Sequence, residues 1–336
     1  SHCGLLHHVR FFPTEHNQVR TRQLCTGIRV LRQHWASSVQ AVRLREPGAV
    51  DVSELATDLR TLRFWRWFAT SVFLFIGVVA SLAQLAQLAA PKLLERYGGW
   101  IIVASAIGSL AFGLWRAWPR PIECTYSQPA TKISVVKGDL FEQGDAHIVV
   151  GVTTTFDTSV PNVISKASVL GQYIDRVYGG DVERLDQDIA AALSNDSPTS
   201  QVVKPGKTSA YALGSVATIT QGNHKNYLLA YAEMSTANEA RATIDGVWAS
   251  LGSLWKEVSR TSNGGTVCVG LLGGAFARIS HVLPAQDSLR LIVLSYIFAS
   301  RIGRITDELR LVVKESDFQK LDRLELQAFL SSLKGS

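Results

Sequence analysis

Two stretches decide the fold: Lys132-Ile-Ser-Val-Val-Lys-Gly-Asp139 and His147-Ile-Val-Val-Gly-Val-Thr153. Each is a short run rich in β-branched residues, too short for a helix and bounded by turn residues, so 132–136 and 147–153 read as strands, the second fully buried. Forward from there the period changes. Val182, Leu185, Ile189 and Leu193 fall at helix spacing, and strands follow at 209–213, 216–220 and 227–231. Thr236-Ala-Asn-Glu239 has the form of a capping box, predicting a long helix that turns Ile244, Val247, Leu251, Leu254 and Val258 inward. A strand at 266–272 ends in glycines, a helix spans 285–300, and a strand covers 309–313. Ser316-Asp-Phe-Gln319 is expected to cap a last helix carrying Leu321, Leu324 and Phe329. Strands alternating with helices over 131–332 define an α/β domain, a mixed sheet flanked by helices on both faces.

Backward from Lys132 the chain is different in kind. Pro119 and Pro121 mark a linker over 119–130. Before it, residues 67–90 and 97–115 contain no charged side chain, and only Pro91-Lys-Leu-Leu-Glu-Arg96 separates them. As a helix even the second stretch is about 28 Å long, close to the hydrocarbon thickness of a bilayer. Phe64, Trp65, Trp67, Trp100, Trp115 and Trp118 flank the two stretches, as interfacial aromatics do. Buried helices of a soluble core can be equally apolar, but no amphipathic partner helices surround these. The expectation is a transmembrane hairpin over 51–118, entered through a juxtamembrane helix. Arg60, Arg63 and Arg66 before it and Arg116 and Arg120 after it put both termini in the cytoplasm. Ser105, Ser109 and Gly113 form a row of small residues that permits close helix contact in lipid, self-association included, although small residues are common in membrane helices in any case. Residues 1–50, with arginines from Arg20 to Arg45, fit either an amphipathic helix on lipid head groups or a poorly ordered tail.

The charge follows this division. Residues 1–124 hold 14 Lys+Arg against 7 Asp+Glu, a net of +7, and residues 125–336 hold 20 against 21, a net of −1. The basic charge therefore belongs beside the membrane, and the near-neutral domain is no nucleic-acid binder. Cys3, Cys25, Cys124 and Cys268 form no CxxC, and the histidines lack ligand spacing, so neither a disulfide framework nor a metal site is expected. No signal peptide is visible in the first 60 residues.

Three loops can carry chemistry, because each follows a strand and α/β sheets bind ligands at the C-terminal ends of their strands. Gly138-Asp139 offers a carboxylate that can accept a hydrogen bond from an exocyclic amine, though a turn aspartate capping its own backbone has the same form. Gly273-Gly-Ala-Phe-Ala-Arg278 can turn backbone N–H groups onto a diphosphate, with Phe276 over a ribose or base and Arg278 on phosphate. A tight strand-to-helix turn reads the same way. Gly151-Val-Thr-Thr-Thr-Phe-Asp-Thr158 is rich in hydroxyls and fits a polar pocket or a solvated loop.

Together these loops resemble a macro domain, and the resemblance sharpens to one family, the macro domain of the Thoeris ThsA effectors. It rests on Lys137-Gly-Asp-Leu-Phe-Glu142, residues 149–158, Ser168-Val-Leu-Gly-Gln-Tyr173, residues 207–217 and 227–234, and Gly273 to Arg278, and covers about 131–332. The resemblance implies a membrane effector of bacterial anti-phage defence in the inner membrane. A partner TIR-domain protein makes an ADP-ribose-type signal from NAD, in the two-helix branch a histidine–ADP-ribose conjugate. The macro domain binds it, and the effector, as a homo-oligomer, disrupts the membrane and aborts the infection. It calls for no cofactor besides this ligand. On the matched positions Asp139 holds the adenine amine and the Leu140 N–H a ring nitrogen. Gly273, Gly274, Ala275, Phe276 and Ala277 wrap the diphosphate, with Arg278 beside them, and Thr153, Phe156, Gly171 and Gln172 lie near the ribose and its substituent. Thr153 and Thr154 stand where hydrolytic macro domains carry asparagine, and Ala275 and Ala277 replace two glycines. The alternative, a membrane-tethered hydrolase of ADP-ribose conjugates, needs a base, and Asp157 is its best candidate, a single carboxylate with no partner evident in the sequence.

Overall fold

A computed structural model of the chain describes residues 62–89, 91–117, 121–144, 146–272 and 283–335. The segment 1–50, the juxtamembrane stretch 51–61 and the loop 273–282 lie outside the described residues.

Helices α1 (Leu62–Ala89) and α2 (Pro91–Ala117) hold two segments, Phe64–Ala86 and Gly98–Arg116, long and apolar enough to cross a membrane. Their large side chains point outward, with Phe73, Trp100 and Ile102 each more than 70% exposed, the opposite of a soluble core helix. The polar run 91–96, expected as a break, forms the first turns of α2. Pro91 takes the first helical position, where its missing N–H leaves no bond unmade. The helices pack antiparallel: Phe68 and Val72 face Gly113, and Phe75 faces Gly108 and meets Phe112 with ring centres 5.4 Å apart and planes tilted by 30°. A Cβ on Gly113 would approach Phe68 and Val72 to 2.8 Å, and Ser109 is buried. Two members of the small-residue row, Ser109 and Gly113, thus lie within the hairpin, where only a small side chain at 113 lets α2 approach the aromatic face of α1. Ser71 and Ser109 satisfy their hydroxyls on carbonyls of their own helices, Trp67 O at 2.8 Å and Ala106 O at 2.9 Å.

The domain that follows is an eight-stranded mixed sheet between helices. Its strands are β1 (Ile122–Ser127), β2 (Ala130–Lys137), β3 (His147–Thr153), β6 (Val216–Gln221), β7 (His224–Met234), β8 (Ala240–Arg241), β9 (Val267–Gly270) and β10 (Glu308–Val313), while β4 (Ser200–Gln201) pairs separately with β5 (Ser209–Ala210). The order is β1-β2-β10-β9-β3-β7-β6, with β8 on the end of β7. The central five, β2, β10, β9, β3 and β7, run parallel, and β1, β6 and β8 are antiparallel. Side chains alternate as a two-residue period requires. Val149, Tyr227 and Leu229 face α5 (Ile244–Thr261) and α6 (Ala285–Ile302), joining Leu251, Trp255, Leu289 and Tyr296. Val150, Leu228 and Ala230 face α3 (Val169–Tyr178) and α4 (Val182–Ala192), joining Leu170, Tyr173, Leu185 and Ile189. Each of these buried aliphatic side chains contributes about 1.5–3 kcal/mol relative to exposure.

Besides the strand expected at 209–213, which shortens to β5 and pairs outside the main sheet, three boundaries differ from the sequence expectation. The stretch 119–130 contains β1, an Ile-Glu-Cys-Thr-Tyr-Ser strand whose alternate residues are buried and whose backbone is clasped by Gln327 of α8 (Arg323–Ser332), through Glu123 N–H and C=O at 3.1 and 3.0 Å. Thr236–Glu239 is a turn closed by Ser235, and α5 starts later under the Thr243 cap. Ser316–Gln319 sits in the short helix α7 (Glu315–Phe318) and its end, while Asp322 caps α8.

Candidate functional site

The parallel register brings the candidate loops to one edge. Val313 is level with Lys137, Val312 with Gly270, and Val149 with Val269, so the chain leaves β2, β9 and β3 at the same C-terminal end. After β3 it proceeds to α3 on one face. After β9 it proceeds to α6 on the other face, although β3 and β9 are neighbours. In open α/β sheets such a divergence at the strand ends is where ligands are accepted.

The β2 side is built around Asp139. Gly138 N–H donates to Val313 O at 3.0 Å, which carries the loop across the end of β10. Asp139 then caps the single 3-10 turn Leu140–Glu142, its Oδ1 accepting from Phe141 N–H at 2.9 Å. Its Oδ2 accepts from the Arg176 guanidinium at 2.7 Å. That guanidinium also lies 5.5 Å from the Phe141 ring centre, and Phe141 stacks on Tyr173, so α3 holds this loop from the side. Asp139 thus does cap its own backbone, yet it is still partly exposed, and each oxygen keeps lone-pair capacity. The Leu140 side chain is a plug among Ala146, Cys268 and Val312. Burial pushes the Cys268 thiol up to about 12, so it stays protonated and inert.

On the β3 side, Thr153 sits at a register shift against β7, and Thr154 N–H donates to Ala232 O at 2.9 Å. Thr153, Thr154 and Thr155 are buried, with 3.3 Å between the Thr153 and Thr155 hydroxyl oxygens. Phe156 departs from the expectation of a residue beside the ribose. Its ring is 2% exposed, edge-on to Tyr211 at 5.6 Å, in the core beneath α3 and α4. Its backbone has φ +47°, left-handed and rare for an aromatic residue. Gly171 and Gln172 lie in the first turn of α3. Gly171 N–H donates to the Ser168 cap at 3.0 Å, and a Cβ there would collide with Ser165 O and approach Lys166 Cα to 2.9 Å. The glycine is therefore required by packing. Gln172 donates to Ala167 O at 3.0 Å.

Gly273, Gly274, Ala275, Phe276, Ala277 and Arg278 lie outside the described residues; the chain enters them just past β9, with Leu272 and Tyr231 both packed near Gly151 of β3. Among the described residues no group of His, Cys, Asp or Glu is arranged to hold a metal ion.

The sequence did not reveal that Asp157 has a partner. Lys204 Nζ forms an ion pair with Asp157 Oδ2, both side chains almost wholly buried. Asp157 also accepts from Thr155 Oγ1 at 3.1 Å and from Lys207 N–H at 3.0 Å. The carboxylate proposed as a base is buried and holds three donors, one of them the Lys204 ammonium. Lys204 is 47 residues away, and no local pattern signals such a pair.

Residues 133–314, just over half of the chain, match the family model described as Thoeris protein ThsA, Macro domain. No curated protein matches the chain. Similar solved structures include the macrodomain of Thermus aquaticus DarG, 13% identical over 55% of this chain and 97% of that one, with a TM-score of 0.36. They also include the Oceanobacillus iheyensis macrodomain with MES bound, 12% identical over 63% of this chain and 98% of that one, with a TM-score of 0.41.

Proposed function

The chain belongs to the Thoeris ThsA macro-domain family, and on that premise we propose that it is a membrane effector gated by an ADP-ribose-type nucleotide. One observation carries this reading: the edge of the sheet that gathers the candidate loops is also the edge where the chain arrives from the apolar helices. Strand β1 runs antiparallel to β2 with Ile122 opposite Val135, so Ile122 stands near the C-terminal end of β2, three residues before Gly138 in register. Only residues 118–121 lie between the end of α2 and Ile122, a reach of at most about 18 Å. A ligand seated at that edge is therefore close to the tether of the hairpin.

In this reading the hairpin crosses the bacterial inner membrane with both ends on the cytoplasmic side, next to the arginines that flank it. Asp139 takes the adenine amine, the Leu140 N–H a ring nitrogen, and Gly273 to Arg278 the diphosphate. Thr153 and the first turn of α3, with Gly171 and Gln172, border the distal ribose and its substituent. The histidine conjugate of ADP-ribose, made by a TIR-domain partner, is the signal. Its binding favours an assembled state only by its differential affinity for that state. Assembly uses the outward apolar faces of the hairpins, since Ser109 and Gly113 already lie within the hairpin, and it permeabilises the bilayer and aborts the infection.

Binding without turnover is supported by Asp157, whose oxygens are held by Lys204, Thr155 and Lys207 N–H, leaving no free base in this loop. The test is calorimetric titration of the full chain in lipid nanodiscs with ADP-ribose and its histidine conjugate, followed by mass spectrometry. Saturable binding with the ligand recovered intact is expected. Conversion of the ligand would move the protein to the hydrolase reading, and no binding of either would leave only a fold.

A further inference from the structure

The loop after β3 is fastened from below more completely than any packing need explains. Asp157 and Lys204 pair with side chains 1% and 0% exposed. Lys204 Nζ also donates to Pro205 O at 3.1 Å. Lys207 sends its N–H to Asp157 Oδ1 and its Nζ to Phe156 O at 2.9 Å and Asp186 Oδ1 of α4 at 2.6 Å. Thr158 donates to the same Asp186 oxygen at 2.6 Å. Tyr211 N–H donates to Thr154 O at 2.9 Å, and its ring meets Phe156. Gly206, at φ +88°, passes so close that a Cβ would lie 2.5 Å from Asp157 Oδ1. Each residue from Thr154 to Thr158 is bonded either to its neighbours in the loop or to the 204–211 segment or α4, and Phe156 is thereby held in its left-handed conformation.

A buried ion pair is a costly fastening, because two charges lose their hydration and apolar side chains of the same volume would serve stability as well. What it adds is one fixed geometry for the segment it holds. The loop after β2 is held by a separate set, Arg176 and the Phe141 N–H, and shares none of these partners. The polar fastenings of the two loops are therefore separate, although Phe141 and Phe156 pack on the same apolar cluster beneath α3.

We propose that Asp157, Lys204 and Lys207 are positioning residues that preset the loop after β3 for the distal half of the ligand, and so set a preference for nucleotides extended beyond the diphosphate over adenosine monophosphate. This rests on the functional reading above, in which the adenosine half sits at the β2 loop. None of the three needs to touch the ligand. They act through the backbone of 153–158, whose preorganisation removes an ordering cost that a loose loop would impose on binding.

The test compares ADP-ribose and AMP on the full chain in nanodiscs. Three variants are used: Lys207→Met, whose side chain is partly exposed, Lys207→Arg, which keeps the cation, and the double Asp157→Leu/Lys204→Met, which removes both buried charges together. In Lys207→Met and the double variant, ADP-ribose binding weakens about tenfold or more while AMP binding stays within about twofold. Lys207→Arg retains most of the ADP-ribose affinity. Hydrogen exchange of the 154–158 amides quickens in Lys207→Met, and that of 139–142 does not. Equal weakening of both ligands, or no change in either, overturns the proposal while leaving the binding function intact. A wild-type chain that binds neither ligand overturns the functional reading and this proposal with it. Should the double variant fail to fold, Lys207→Met alone decides.

Discussion

Replacing Asp139 by alanine separates its structural duty from its proposed role in recognition. Structurally, the change removes the cap on Phe141 N–H and the ion pair with Arg176, whose two side chains are 29% and 42% exposed. Loss of a cap costs about 0.5–1 kcal/mol, and a partly exposed pair adds about 0–1 kcal/mol. The variant should therefore fold, with stability lowered by about 0.5–2 kcal/mol, or a few degrees of Tm at about 2–4 °C per kcal/mol for a domain of this size. Binding should suffer more. A hydrogen bond from an adenine amine to a carboxylate is worth about 1.5–3 kcal/mol, so Kd for ADP-ribose should rise about 10- to 150-fold. Calorimetry and thermal unfolding on the same nanodisc preparation read both quantities. Asp139→Asn keeps an oxygen for the cap and serves as the control for folding. A variant that loses the expected stability yet binds ADP-ribose within about twofold of wild type would show that Asp139 only shapes its loop, and the adenine site would have to be sought elsewhere.

Three other perturbations follow from the geometry. His147 is buried with Nδ1 accepting from Lys225 N–H at 3.0 Å and Nε2 on Ser262 O at 3.1 Å, so the neutral ring fits both backbone groups. Burial lowers its pKa below 6.5, the Ser262 carbonyl opposes this, and His224 and Lys225 reinforce it. A group lowered on folding contributes stability above its unfolded pKa and loses it as pH falls. Unfolding midpoints should therefore drop below pH 6.5 more steeply in wild type than in His147→Phe, and parallel curves would refute the assignment. Gly113→Leu should separate the hairpin at a cost of about 1–3 kcal/mol, abolishing a disulfide cross-link between Phe75→Cys and Phe112→Cys that forms when Gly113 is present; a surviving cross-link would contradict the packing. Inserting about ten Gly-Ser residues between Ala117 and Ile122 should leave ligand Kd unchanged and reduce ligand-triggered leakage, because a flexible tether transmits little. Undiminished leakage would show that the short connection does not matter.

Much of this was legible in the sequence wherever the signal is local. The β-branched runs at 132–136, 147–153 and 309–313 gave strands, the absence of charge in 67–90 gave the apolar helices, and the glycine and aspartate after β2 marked the loop at the sheet edge. Strand β1 was obscured because Pro121 and Pro129 bracket it, although Ile122, Cys124 and Tyr126 do alternate. The capping-box pattern at Thr236 does not open α5, because Ser235 closes 236–239 as a turn and the helix starts under Thr243 instead. Phe156 looked like a loop aromatic available to a ligand, and its burial depends on Tyr211, far along the chain. The Asp157–Lys204 pair and the internal use of Gly113 are likewise long-range facts, set by which segments meet and not by any periodicity.

The central claim is that a nucleotide at the sheet edge acts on the membrane through the hairpin. It is tested most directly by dye release from liposomes carrying the full chain, titrated with the histidine conjugate of ADP-ribose. The account predicts release that rises saturably with ligand, is absent with AMP, and leaves the ligand chemically intact. Ligand that binds without any release, or that is consumed as release proceeds, would contradict it.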